Sequence, residues 1–195
     1  MNLLAEFNRS VNKDQSAKTD THIRVISEAI LRTCQKHFPD LRPPVIAGGA
    51  VRDVVFGSAP KDYDVFFDLS SIHPDEQDDF VLLFGFYFIQ EIGEVEGYKH
   101  LRDCSIGALS GPEYFSGTDW KNFFVYENRF ADDFIGARID EEGNLFDEKF
   151  YIKLQFIGHN DPRLASAEPI AFVNDSFDYA LVKALFDPTT MAYVL

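Results

Sequence analysis

The stretch between residues 45 and 65 constrains the fold of this chain more than any other part of it. A short apolar run, Val45–Ala47, ends at Gly48-Gly49, and the largely apolar residues that follow, 50–56, stop at Gly57. Because glycine has no Cβ atom, the pair allows the backbone to turn sharply and to approach a ligand closely. These residues therefore predict a strand, a tight turn and a short helix whose first amide groups suit a phosphate.

A pair of aspartates opens the next apolar run, in Lys61-Asp62-Tyr63-Asp64-Val65. Asp62 and Asp64 are two positions apart, so on a strand both side chains face the same side. Two like charges side by side are unfavourable unless a cation lies between them, and such a pair can hold the Mg²⁺ that carries a nucleoside triphosphate. Alone, a glycine pair is usually a plain turn, and an Asp-x-Asp pair is usually structural or solvated. Their conjunction predicts a phosphate-binding turn beside metal ligands.

This conjunction resembles the signature of the polymerase-beta-like nucleotidyltransferase superfamily. The resemblance is greatest to the head domain of CCA-adding tRNA nucleotidyltransferases and bacterial poly(A) polymerases. Their signature has the form Gly-Gly-x-Val-Arg-Asp, a short apolar stretch with a glycine, and Lys/Pro-Asp-x-Asp followed by apolar residues. This chain has Gly48-Gly49-Ala50-Val51-Arg52-Asp53 and then Pro60-Lys61-Asp62-Tyr63-Asp64-Val65, so the match runs over positions 48–65 with the same spacing.

The resemblance implies an enzyme that moves a nucleoside monophosphate from an NTP to an acceptor hydroxyl and releases pyrophosphate. Asp62 and Asp64 would be its catalytic residues and would hold Mg²⁺, with Mn²⁺ as a possible substitute. The acceptor would be the 3′ end of an RNA such as tRNA, or another macromolecule such as a protein. The residues that would bind the nucleotide are Gly48, Gly49, Arg52 and Lys61.

Three departures from the superfamily favour an alternative function. Members place a third carboxylate on a neighbouring strand, and the corresponding stretch here, 151–157, has Gln155. An amide oxygen is a poorer ligand for a hard cation than a carboxylate, and it cannot take a proton from a hydroxyl. The pattern that selects CTP and ATP, and the helical regions that grip tRNA, have no counterpart. The alternative is an inactive nucleotidyltransferase-fold module that binds a nucleotide or a protein partner.

The remaining patterns predict a mixed α/β (α+β) domain, a small mixed sheet flanked by helices like the nucleotidyltransferase palm. We expect a loosely ordered arm over 1–20 and a single domain over 21–195 with an insertion near 100–121. Helices are expected over 21–37 and from residue 75 to Gly85. Strands are expected over 63–69, 86–92, 123–130, 134–139 and 150–157. A final helix is expected over 177–186, and the Asp-aromatic residues at its start resemble a further motif of the superfamily.

The composition restricts the partners and the compartment. Eighteen Lys and Arg against thirty-two Asp and Glu give a net charge of −14, which argues against unspecific coating of nucleic acid. Only two cysteines occur, too few for a disulfide framework and typical of a reducing cytoplasm. A membrane anchor is not expected, because the apolar runs are far shorter than the ~20 residues that a bilayer span needs. The composition gives no indication of the oligomeric state.

Overall fold

A computed structural model describes residues 13–58, 60, 62–95, 107–109, 125–131, 137–139, 145–147, 151–177 and 183–194. The helices within these residues are α1 (Lys13–His37), α2 (Gly49–Phe56), α3 (Gln77–Ile92) and α4 (Ile170–Ser176). The strands in the same described ranges are β1 (Val45–Ala47), β2 (Asp62–Asp68), β3 (Gly107–Leu109), β4 (Val125–Ala131), β5 (Ala137–Ile139), β6 (Leu145–Asp147), β7 (Tyr151–His159), β8 (Leu185–Asp187) and β9 (Ala192–Val194). Two 3₁₀ turns cover Pro74–Glu76 and Pro162–Ala165.

Seven of the strands form one mixed sheet in the order β3-β4-β7-β2-β1-β8-β9, while β5 and β6 pair with each other. The central pair, β2 and β7, is parallel, and every other pair in the sheet is antiparallel. A parallel pair needs a long crossover connection, and α3 lies within the one that joins β2 to β7. The predicted mixed α/β class, a mixed sheet with flanking helices, is confirmed.

The larger hydrophobic cluster lies between one face of the sheet and the helices α1 and α3. Alternate residues of β2 enter it, because successive side chains of a strand point to opposite faces. The ring of Phe67 meets the ring of Phe84 from α3 edge-on, with 4.7 Å between the centroids. The buried side chains from α1, β2 and α3 include Ile23, Ile26, Ile30, Tyr63, Val65, Phe67, Val81, Phe84 and Phe88.

The opposite face of the sheet is apolar along only part of its length. A smaller cluster there joins Phe66 of β2 to Phe172 and Val173 of α4. The other residues of β2 on this face are Asp62, Asp64 and Asp68, all half-buried. The face thus changes from apolar to acidic within β2, between Phe66 and Asp64.

The first helix is longer than the sequence pattern predicted. It begins at Lys13, so residues 13–20, which were expected to belong to a loosely ordered arm, are helical. Thr19 is only 1% exposed, and the hydroxyl of Ser16 donates a hydrogen bond to the carbonyl oxygen of Val54 in α2. Contact with α2 therefore stabilises a helical turn whose own sequence is polar. The rest of the predicted arm, residues 1–12, lies outside the described residues.

Helix α3 does not stop at Gly85, and the strand predicted over 86–92 is wrong. The helix continues to Ile92, with Val81, Phe84 and Phe88 buried on one continuous side. A glycine within a helix costs only about 1 kcal/mol relative to alanine, far less than the burial of several aromatic and aliphatic side chains provides. Packing against α1 and the sheet therefore overrides the helix-breaking tendency of Gly85.

The final helix predicted over 177–186 is not found at either end of that range. Helix α4 spans Ile170–Ser176 and ends at Phe177, whose backbone is extended, while Leu185–Asp187 forms β8 beside β1. A strand is favoured there because it sends Leu185 into the smaller cluster and Phe186 into the larger one. The residues expected to open that helix instead end α4, and residues 178–182 lie outside the described part of the chain.

Most of the other strand predictions are confirmed within a few residues, as β2, β4, β5 and β7. Of the insertion predicted near 100–121, the structure describes residues 107–109, which form β3 and pair with β4. Within the described residues, no helix combines the length and the apolar character needed to cross a bilayer.

Candidate functional site

The glycine turn and the aspartate pair meet at one end of the central strands. Ala47, the last residue of β1, pairs with Asp64 of β2, and Gly48 follows directly. A Cβ atom placed on Gly48 would lie 3.3 Å from Oδ2 of Asp64. Gly48 also has a φ of 89° and a ψ of −141°, in a region that residues with a side chain rarely adopt. The turn thus requires glycine both for its backbone conformation and for its close approach to the Asp64 carboxylate.

The turn opens helix α2 in a way that leaves its first amide groups without a side-chain cap. Gly48 is the N-cap residue and has no side chain to accept a hydrogen bond, and the first turn of α2 contains no acidic residue. The first amides of a helix have no partner within the helix, and together with the helix dipole they favour an anion. This end of α2 therefore has the chemistry of a phosphate-binding site.

Asp62 and Asp64 share one face of β2, as the two-residue spacing predicted. Both are half-buried, while Tyr63 and Val65 between and beyond them are buried on the opposite face. Carboxylate oxygens are the ligands that Mg²⁺ prefers in proteins, and Mg²⁺ usually takes one or two carboxylates together with substrate phosphates and water. The pair fits that pattern. No group of three or more His, Cys, Asp or Glu side chains suited to a metal occurs among the residues that the structure describes.

Gln155 lies directly beside Asp64 on the neighbouring parallel strand β7. The stretch expected to carry a third carboxylate is thus next to β2, and its residue in register with Asp64 is an amide. The following strand, β4, pairs Glu127 with Gln155. Directly opposed residues share a face of the sheet, so Glu127 is in the same row as Asp64, two strand spacings or about 9.6 Å away. Glu127 could not be identified from the sequence, because spacing along the chain does not indicate that β4 pairs with β7.

Arg52 is held at the start of α2 by the next residue of the motif. Its Nε atom donates a hydrogen bond to Oδ1 of Asp53 over 2.8 Å, and its Nη2 atom is 2.7 Å from the same oxygen. The side chain of Asp53 is 9% exposed and that of Arg52 is 37% exposed. Nη2 also lies 3.7 Å from the position of a Cβ atom on Gly49. Asp53 therefore keeps the guanidinium group of Arg52 close to the glycine turn, a role that the sequence pattern did not indicate.

Five of the six site residues predicted from the sequence lie in the described part of the chain, and Lys61 lies outside it. The structure brings Gly48 against Asp64, Asp64 onto the same strand face as Asp62, and Arg52 against Gly49. No protein-family model matches this chain, and neither the curated proteins nor the solved structures include a match.

Proposed function

We propose that the chain is a metal-dependent nucleotidyltransferase. It would move a nucleoside monophosphate from an NTP to an acceptor hydroxyl, either at an RNA 3′ end such as that of tRNA or on a protein, and release pyrophosphate. One observation carries the proposal, namely the contact between the Gly48 turn and Asp64. It joins an uncapped helix start, which suits phosphate, to a carboxylate pair that suits Mg²⁺. The resemblance of residues 48–65 to the superfamily signature and the two-cysteine composition support an enzyme of the cytoplasm.

Each site residue has a role that follows from its chemistry. The amides that follow Gly48 bind phosphate oxygens, and Asp62 and Asp64 hold Mg²⁺ or Mn²⁺. When bound, the metal stabilises negative charge on the phosphate and on the leaving group. Arg52 offsets part of the triphosphate charge, as a guanidinium does in many phosphate sites. Asp53 positions Arg52 through their hydrogen bond.

The reaction requires a place for one proton. The acceptor oxygen forms a bond to the α-phosphorus, the bond from that phosphorus to the bridging oxygen breaks, and pyrophosphate departs. The proton of the acceptor hydroxyl must pass to a base, and the amide of Gln155 cannot take it. Besides the two aspartates, Glu127 is a carboxylate-bearing position in the same row of the sheet face.

Transfer of labelled phosphate tests the proposal directly. Each α-labelled NTP is incubated with the protein and Mg²⁺ or Mn²⁺, once with total tRNA and once with a cell protein extract. We expect label in one acceptor fraction and its loss with Asp62→Asn or Asp64→Asn. Asp68→Asn, on the same face of β2 but at its other end, is the matched control and should keep the activity. Absence of label with every NTP, from a folded preparation, would refute the proposal.

An inactive module that binds a nucleotide or a protein partner is the second candidate. The position of Gln155 beside Asp64 favours it, because that position in the row lacks a carboxylate. In this case an NTP with Mg²⁺ raises the melting temperature, but no label moves to any acceptor. The nucleotide-binding form of this candidate therefore differs from the enzyme in turnover alone and depends on the same glycine turn and aspartate pair, whereas the form that binds only a protein partner predicts no NTP binding.

A further inference from the structure

An aromatic ring borders the glycine turn near Asp64. A Cβ atom on Gly48 would lie 3.3 Å from the carboxylate of Asp64 and 3.5 Å from Cε1 of Phe177. A charged group and an aromatic ring thus both approach Gly48. Phe177 is half-buried, and the superfamily signature at residues 48–65 does not include it.

The ring of Phe177 is fixed by the apolar part of the sheet face. Phe177 is the first residue after α4, and its amide donates a hydrogen bond to the carbonyl oxygen of Val173 over 3.1 Å. Its ring meets that of Phe66 edge-on, with 5.7 Å between the centroids, and Phe66 packs in turn against Phe172 at 5.9 Å. Phe66 is two residues from Asp64 on the same face of β2. Phe177 therefore stands at the boundary between the smaller hydrophobic cluster and the polar end of the face.

A nucleoside triphosphate has two chemically different ends, and the two neighbours of the Gly48 turn match them. The triphosphate is anionic and suits the start of α2 and the metal-binding pair. The base is a flat aromatic group that stacks on aromatic side chains with little dependence on its identity. A ring that is anchored at one edge and partly exposed loses little conformational freedom when a base stacks on it.

We propose that Phe177 stacks on the base of the bound nucleotide and so makes the site prefer a nucleoside triphosphate to inorganic triphosphate. This proposal rests on the nucleotide-binding function proposed above. It adds a contact with the base, which the aspartates and glycines do not provide. Because stacking involves the face of the base and not its hydrogen-bonding edge, Phe177 favours all four NTPs over tripolyphosphate. Selection among the bases then depends on other residues.

The test compares two ligands that share the triphosphate and differ in the base. Dissociation constants are measured by calorimetry for a non-hydrolysable ATP analogue and for tripolyphosphate, both with Mg²⁺. Phe177→Leu keeps the apolar contact with Phe66 but removes the aromatic face. We expect it to weaken binding of the ATP analogue about ten-fold and to leave tripolyphosphate unchanged. Phe86→Leu is the matched control and should change neither constant, because Phe86 is 52% exposed on α3 at the other side of the sheet.

The possible outcomes separate this proposal from the one on which it rests. If the parent protein binds neither ligand, the proposed function itself fails. If the parent binds both ligands equally, or if Phe177→Leu weakens both by the same factor, the site is real and the role of Phe177 is refuted. Should Phe177→Leu fail to fold, Phe177→Trp replaces it. The fluorescence of the new tryptophan is measured against that of the parent, whose single tryptophan is Trp120. The added fluorescence should be quenched by the ATP analogue and not by tripolyphosphate, and the absence of selective quenching would overturn the proposal.

Discussion

Replacing Asp64 by asparagine tests whether Asp62 and Asp64 bind a metal or only stabilise the fold, because the two hypotheses predict opposite changes in stability. Asp62 and Asp64 are two residues apart on one strand, so their backbones are about 6.6 Å apart. Two unit charges at that distance repel by about 0.6 kcal/mol at the dielectric constant of water and by about 2.5 kcal/mol at an effective value of 20. Both residues are half-buried, so we take about 1 kcal/mol. Asparagine keeps the shape of the side chain and removes this repulsion.

The expected change in melting temperature then depends on the metal. A gain of about 1 kcal/mol corresponds to about 2–4 °C for a domain of this size, so Asp64→Asn should melt at an equal or slightly higher temperature than the parent in EDTA. In the parent, an Mg²⁺–NTP complex at one hundred times its dissociation constant adds about 2.7 kcal/mol, or about 5–10 °C. The variant should lose most of that increase, because the metal ligand carries one charge less.

Differential scanning calorimetry in EDTA, in Mg²⁺ alone and in Mg²⁺ with a non-hydrolysable NTP measures both effects. Asp68→Asn is the matched control, since Asp68 lies on the same strand face and its Oδ1 accepts a hydrogen bond from the amide of Ser70 over 2.8 Å. An asparagine oxygen accepts the same bond, so this variant should keep the ligand-dependent increase. A large fall in melting temperature for Asp64→Asn in all three conditions would show that the aspartates are structural and that the metal assignment is wrong.

Three further substitutions test separate parts of the structure. Gly48→Ala should lower the free energy of unfolding by about 1–2 kcal/mol and abolish triphosphate binding in calorimetry. The control Gly57→Ala, also at a positive φ of 65°, should lose stability and keep binding. Equal binding by both variants would contradict the role of the turn. Gln155→Glu should tighten Mn²⁺ binding, measured by electron paramagnetic resonance, and lower the melting temperature in EDTA, since it places a carboxylate beside Asp64. Burial lowers the pKa of His159, so the unfolded chain binds more protons than the folded one, and the free energy of unfolding should fall as the pH drops below about 6.5. Urea unfolding at pH 7 and pH 5 should show a smaller fall for His159→Gln than for the parent.

Features that depend on neighbouring residues could be predicted from the sequence. The Gly48 turn, the short helix that ends at Gly57 and the shared face of Asp62 and Asp64 follow from glycine conformation and from the period of a strand. The mixed α/β class follows in the same way from the order of the patterns. The spacing alone also suggested that the turn and the pair are close, and the structure gives the contact between Gly48 and Asp64.

Features that depend on distant residues could not be predicted in the same way. Helix α1 extends back to Lys13 because of contacts with α2, and α3 passes through Gly85 because of continuous burial against α1 and the sheet. Residues 185–187 form strand β8, and not the end of a predicted helix, because the strand supplies both clusters at once. Glu127 and Phe177 could not be predicted for the same reason. Glu127 reaches the row of Asp64 through strand pairing, and Phe177 reaches the Gly48 turn through packing, in both cases between residues far apart in the sequence.

The charge of the site determines the form in which a nucleotide could bind under the proposed function. The chain carries a net charge of −14, and two carboxylates lie where the triphosphate is proposed to bind. The nearby guanidinium of Arg52 also pairs with Asp53, so it offsets only part of the negative charge there. A free triphosphate therefore approaches a repulsive surface, whereas a triphosphate that carries Mg²⁺ brings the charge that Asp62 and Asp64 require. Under the proposed function, the aspartate pair would thus make the metal–nucleotide complex, and not the free nucleotide, the species that the site recognises, and the same repulsion would oppose non-specific binding of RNA without a metal.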